Sequence, residues 1–139
     1  MEFELDEQHR LLRDTVRDFT EREVKPLAVR IDEEQRIPDA LVAKLAAMGL
    51  LGSYVPEEDG GAGLDMLAYA IVVEEISKGC ASTGVLISAH TSLACDPILR
   101  FGTPAQRRRF LPALASGEKI GCFLLTEPDA GSDVAGLKT

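Results

Sequence analysis

The chain has 139 residues, 45% of them hydrophobic and 27% charged, with a net charge of −8 and a sequence pI near 4.7. That is the size of one soluble, globular domain with enough apolar residues for a real core, and its acidic balance opposes a nucleic-acid phosphate backbone. The three cysteines, Cys80, Cys95 and Cys122, are far apart and lack C-x-x-C spacing, and two histidines, His9 and His90, are too few for a His-based metal site and read as helix-surface or packing residues.

At the amino terminus Glu2, Glu4, Asp6 and Glu7 are the opposite of a basic targeting segment, and no apolar run approaches membrane length, so a reduced, cytoplasmic setting is expected. Asp6 is placed to cap a first helix whose apolar positions Leu12, Val16, Phe19, Val24, Leu27 and Ile31 follow helical spacing. Pro26 interrupts that stripe and predicts a kink or restart near Glu23. A second helix is expected from Pro38 and Asp39, with Leu41, Leu45 and Met48 on its buried side and Gly49 as a left-handed stop.

Residues 50–56 read as extended and residues 57–63 as a tight acidic loop. The glycines of that loop are not followed by Gly-Lys-Ser/Thr, and its carboxylates oppose a phosphate, so a P-loop reading is poor. Asp65 is a cap for a third helix, apolar on almost every side and therefore central. Its adjacent Glu74 and Glu75 diverge by about 100 degrees, so they are read as surface or salt-bridge residues, not as an acid–base pair.

After Gly79, Ser82 or Thr83 is expected to start a helix through Leu93, rich in small residues that suit close helix packing or the wall of an apolar pocket. Pro97 opens a brief helical turn closed by Gly102, and Thr103-Pro104 supplies a cap and first-turn proline for a helix with Phe110, Leu111 and Leu114 on its inner edge. Arg107, Arg108 and Arg109 point in three directions from that helix and read as a solvated surface.

From Ile120 the pattern changes from helix to strand, which places a domain boundary near residue 118: a helical domain over 1–118, then the start of a β domain over 119–139. The run Ile120–Leu125 is expected to be buried and leads to hydroxyls at Thr126 and Ser132. Pro128 fixes one dihedral and Gly131 is free to take positive φ, an arrangement that suits phosphate oxygens and is equally ordinary turn chemistry. A lone strand cannot satisfy its own backbone groups, so a longer protein is expected, with residues from about 119 poorly ordered or paired to a partner's edge.

Four stretches then resemble the acyl-CoA dehydrogenase family: 45–52 with 56–61, Glu74-Glu75-Ile76-Ser77, Ile98-Leu99-Arg100-Phe101-Gly102-Thr103, and Leu125-Thr126-Glu127-Pro128-Asp129-Ala130-Gly131-Ser132-Asp133. The last is the most specific. The resemblance implies an all-α amino-terminal domain followed by the first strand of a β domain, with FAD as cofactor and an acyl-CoA as substrate. It implies that Phe123, Leu125, Thr126, Gly131 and Ser132 meet the cofactor, Leu125 and Thr126 near the ring and Gly131 and Ser132 near the pyrophosphate, with Ser132 also beside the acyl-CoA.

The reaction it implies is α,β-dehydrogenation of the thioester: proton removal at C2, hydride transfer from C3 to flavin N5, and electrons passed to an electron-transfer flavoprotein. The base in relatives is a glutamate of the carboxy-terminal region, so Glu74, Glu75, Glu118 and Glu127 are not assigned to it and the 139 residues alone are expected to be inactive. Residues 81–93 look most like short-chain, butyryl-type members, and a homotetramer is implied. Asp129, where relatives commonly carry glycine, is expected to face solvent. Two other readings stay open, a superfamily flavin oxidase and a cofactor-free helical interaction module.

Overall fold

The computed structural model describes residues 4–139, and its ordered elements are helical. Helix α1 (Glu7–Phe19) begins where the Asp6 carboxylate accepts the His9 amide, and its Val16 and Phe19 enter the core. Pro26 has the expected effect in an unexpected form. The chain does not break but widens into a π-helical turn, Thr20–Val24, tightens into a 3₁₀ turn, Lys25–Leu27, and resumes as α2 (Ala28–Glu34). Proline lacks the amide that a regular α ladder needs, and changing the hydrogen-bond register absorbs that loss while the helical path continues.

Helix α3 (Asp39–Ala47) buries Leu41 and Leu45 and stops at Gly49, whose φ of 71° is the left-handed conformation glycine adopts without strain. Residues 50–56 are not extended: Leu50–Gly52 form a 3₁₀ turn with all three residues buried, because Gly52 lies against Ala115 too closely to admit a side chain. The acidic loop is also more ordered than a connector. Asp59 ends a 3₁₀ turn, Glu57–Asp59, and is buried in an ion pair with Arg107, which is therefore a tether between that loop and the last helix and not part of a solvated face.

Helix α4 (Met66–Gly79), capped by Asp65 through the Ala68 amide, is central as expected. Val16, Leu41, Leu45, Leu51, Val72, Ile76 and Ile87 meet around it in the main core. Glu74 is exposed, but the Glu75 side chain is only 3% exposed and is held by Arg17 (3.1 Å) and Lys78 (2.7 Å). These cations hold its carboxyl below the usual carboxylate range, Arg17 foremost, against the opposing effect of burial.

Neither Ser82 nor Thr83 caps the next helix. Helix α5 (Ala81–Ser88) starts directly after Cys80, and Thr83 is buried instead. Gly84 approaches Ser77 so closely that a Cβ would overlap the hydroxyl, which accounts for the small residues as packing of α5 on α4. A second π-helical turn, Ala89–Cys95, joins α5 to α6 (Asp96–Phe101), and α7 (Pro104–Ala115) opens with a reciprocal capping box between Thr103 and Gln106. Leu111 is buried beside Val55, Cys95 and Ala115 in a second, smaller cluster, whereas Phe110 lies half out in solvent beneath Arg109.

Candidate functional site

Helix α7 ends through Gly117, whose φ of 72° turns the chain so that the Lys119 amide donates to the Ala113 carbonyl at 2.9 Å. A side chain at Gly117 would strike Ala46 and Leu51, so the turn is pressed against the core. Two residues later the Gly121 amide donates to Nδ1 of His90 at 2.9 Å. Since Nδ1 is the acceptor, the ring is neutral with its proton on Nε2, which donates to the Leu114 carbonyl at 3.1 Å. His90 is 1% exposed, and burial pushes its pKa down, which favours that neutral form.

His90 owes its place to the π-helical turn. Within Ala89–Cys95, His90, Thr91, Ala94 and Cys95 all face inward. The Thr91 hydroxyl donates to the Leu51 carbonyl at 3.2 Å, and Cys95 Sγ lies 3.7 Å from His90 Nε2. Burial raises the Cys95 thiol to about 11, so no thiolate stands beside the ring. The sequence reading treats His90 as a surface or packing residue; the available signal was its position in an otherwise small and apolar helix, but its partners lie 24 and 31 residues away.

Beyond Gly121 the chain leaves the helical body. Residues 122–126 form no regular secondary structure, and among the described residues none of their amides makes a backbone hydrogen bond. The expected strand thus has no ladder, and the expected burial of Ile120–Leu125 is not found: Phe123 is 49% exposed, Leu124 91% and Leu125 40%. Apolar side chains on an unpaired strand have no second layer to enter within this chain.

The loop that follows has a definite shape. Glu127 and Ala130 exchange backbone hydrogen bonds of 2.8 and 3.4 Å across Pro128 and Asp129. The Glu127 carboxylate accepts the amides of Lys138 (3.0 Å) and Thr139 (2.9 Å), and these bonds, those of Thr139 foremost, hold its carboxyl below the usual range. Asp129 is exposed and turned towards Lys138, as expected of a solvent-facing turn residue. Leu124, Leu125, Thr126, Glu127, Leu137 and Thr139 line a cleft of about 330 Å³.

Of the five predicted site residues, Phe123, Leu125 and Thr126 lie along the exposed run, and Gly131 and Ser132 lie just past the turn. Gly131 does not take positive φ, and a Cβ there would meet only the Thr126 side chain at ordinary contact distance of 3.6 Å. The turn is instead closed by the Glu127–Ala130 pairing, which needs no left-handed residue. The amides of Gly131 and Ser132 make no backbone hydrogen bond among the described residues, so the donors that a pyrophosphate would require are free, and the Thr126 and Ser132 side chains are exposed beside them.

The helical body thus ends in an exposed apolar run followed by a turn, with the Gly131 and Ser132 amides unpaired among the described residues. Residues 6–118 match the family described as acyl-CoA dehydrogenase, N-terminal domain, and the chain belongs to the acyl-CoA dehydrogenase family. It is 52% identical over 136 residues to the mitochondrial short-chain specific acyl-CoA dehydrogenase of Bos taurus, covering 98% of this chain and 33% of that protein. Butyryl-CoA dehydrogenase from Megasphaera elsdenii is similar in structure, with a TM-score of 0.91 and 37% identity over 100% of this chain and 37% of the other. An acyl-CoA dehydrogenase complexed with FAD from Bacillus anthracis gives 0.89 and 35% over 97% and 23%. The chain thus spans about a third of the length of the curated relatives it matches. Among the described residues no helix is long and apolar enough to cross a membrane.

Proposed function

We propose that this chain is the amino-terminal part of an FAD-dependent acyl-CoA dehydrogenase acting on short acyl chains, with the helical domain ending near residue 118 and residues 119–139 opening a β domain. The observation that carries this reading is the segment 122–132, in which Phe123, Leu124 and Leu125 are exposed and the Gly131 and Ser132 amides are unpaired, on a body of this family. When bound, FAD supplies the hydride acceptor for C3 of the thioester. The chain's own residues bind and orient. Phe123 and Leu125 present apolar faces to the ring, Thr126 offers a hydroxyl to a ring heteroatom, and the amides at Gly131 and Ser132 receive the pyrophosphate.

Ser132 also contacts the acyl-CoA in this reading. None of Glu74, Glu75, Glu118 or Glu127 serves as the base at C2: Glu75 is committed to Arg17 and Lys78, and Glu127 to the amides of Lys138 and Thr139. By resemblance to the family, the base is a glutamate of a carboxy-terminal region outside these residues, and the 139 residues alone are expected to be inactive. A homo-oligomer, tetrameric by family resemblance, an electron-transfer flavoprotein as acceptor and a cytoplasmic location complete the proposal. The three free cysteines fit that reducing compartment.

The test is to purify the complete polypeptide with FAD and add butyryl-CoA without oxygen. Loss of the oxidised-flavin absorbance supports the reading, and no loss with any saturated acyl-CoA from short to long overturns it. Peroxide release in air without another acceptor would identify a flavin oxidase, and a complete protein that takes up no FAD would be an interaction module.

A further inference from the structure

We infer that His90 is a positioning residue that fastens the proposed flavin-binding strand to the helical body. This inference rests on the reading of 123–132 as a cofactor segment, but its geometry stands independently. The imidazole is the link between three pieces of backbone that are distant in sequence: the π-helical turn that carries it, the end of α7 at Leu114, and the first residues of the exposed run at Gly121.

The link is specific in both directions. Nδ1 accepts the Gly121 amide and Nε2–H donates to Leu114, so the ring works only as the neutral Nε2–H tautomer. The strand is also pressed close to the body at this point. A Cβ on Gly121 would lie 2.5 Å from that of Ala94 and 3.3 Å from Leu114 Cδ2, so any side chain there displaces the strand. From Cys122 to Thr126 no backbone amide is held by the body, which makes the Gly121 bond the last fixed point before Phe123, Leu125 and Thr126. Only Cys122 separates it from Phe123, so a segment released at Gly121 loses its direction at the cofactor ring.

Two substitutions separate the halves of the link. In His90→Asn the side-chain oxygen falls near the place of Nδ1 and keeps an acceptor for Gly121. In His90→Gln the amide nitrogen falls near the place of Nε2 and keeps a donor for Leu114 but offers Gly121 nothing. If His90 only fills space, glutamine, the closer match in size, is the better replacement. If it positions the strand, asparagine is.

Amide hydrogen exchange followed by mass spectrometry on the chain, and the FAD dissociation constant of the complete polypeptide from flavin fluorescence, read the outcome. The expected result is faster exchange confined to the segment after Lys119 in His90→Gln, with FAD binding weakened about tenfold, and near wild-type values in His90→Asn. Equal behaviour of the two variants, or unchanged exchange in a folded His90→Gln protein, overturns the inference. If His90→Gln does not fold, Gly121→Ala replaces it, since it leaves the ring intact and forces the strand off Ala94; unchanged exchange and FAD affinity there are equally fatal. A wild-type protein without FAD affinity defeats the flavin reading alone, and the exchange measurements still decide whether His90 holds the strand.

Discussion

Leu51 and Leu124 are the same side chain in opposite circumstances. Leu51 is wholly buried in the main core, where the turn after α3 presses it against Gly117, and Leu124 is 91% exposed on a strand with no neighbour. The helical body closes most of its backbone hydrogen bonds within its helices and joins them by packing and by links such as Asp59–Arg107 and His90–Leu114. In residues 122–126 the apolar side chains stay exposed and, among the described residues, the backbone amides are unpaired; hydrogen bonding resumes only at the Glu127–Ala130 turn. The difference separates a region whose stability is its own from one whose order depends on what binds it.

The sharpest way to break this contrast is at the two leucines. Leu51→Ala should lower unfolding free energy by about 2–5 kcal/mol in urea titrations, since it empties a fully packed site between α3, the Ala89–Cys95 turn and the Gly117 turn. A loss no larger than that of a surface substitution would mean that the body is not the independently packed unit described above.

A smaller effect is expected at Glu75→Gln, roughly 1–2 kcal/mol near neutral pH, with half-exposed Arg17 limiting the strength of the pair. Its pH dependence is the more telling readout. The folded-state pKa of Glu75 is depressed below the ordinary 4.5, so its contribution is present above that value and disappears as pH falls through the folded-state pKa. The wild-type and Glu75→Gln proteins should therefore converge in stability in acid, and a gap that widens as pH falls below about 4.5 would contradict the depressed pKa.

Much of the body was legible because its signals are local. Asp6, Asp65 and Thr103 cap the helices they precede, Gly49 stops α3 in the left-handed conformation, the apolar spacing of α1 marks its buried face, and the all-round apolar character of α4 marks it as central. What the sequence did not reveal depends on distant partners. Residues 50–52 fold into a 3₁₀ turn because Ala115 of α7 lies against Gly52, Asp59 is buried because Arg107 reaches it, and His90 is a link because Leu114 and Gly121 come to either side. The stretch 125–133 was readable as a motif, whereas its shape was not: the turn closes through Glu127 and Ala130, and Gly131 keeps ordinary φ.

Among the local signals Thr103 offers a graded test. Its hydroxyl accepts the Gln106 amide, and the Gln106 side chain accepts the Thr103 amide, so Thr103→Ala removes half of the capping box. The expected cost is about 1 kcal/mol, measured as a fall in the urea midpoint without a change in slope. Because α7 also carries Arg107 to Asp59 and Leu114 to His90, a change in slope would show that the helix start is coupled to the tail.

The smallest effect belongs to the tail. Leu124→Ser removes an apolar side chain that touches almost nothing, and the stability of the 139-residue chain should change by no more than about 0.5 kcal/mol. The same substitution in the complete polypeptide meets a different situation if a β domain pairs with the strand, because the leucine then has a layer to enter. A substitution silent in the chain and costly in the complete protein would show that the apolar pattern of 120–125 is written for a partner. A cost of equal size in both would mean that Leu124 already packs against the helical body, and that the two regions are not divided at Gly121.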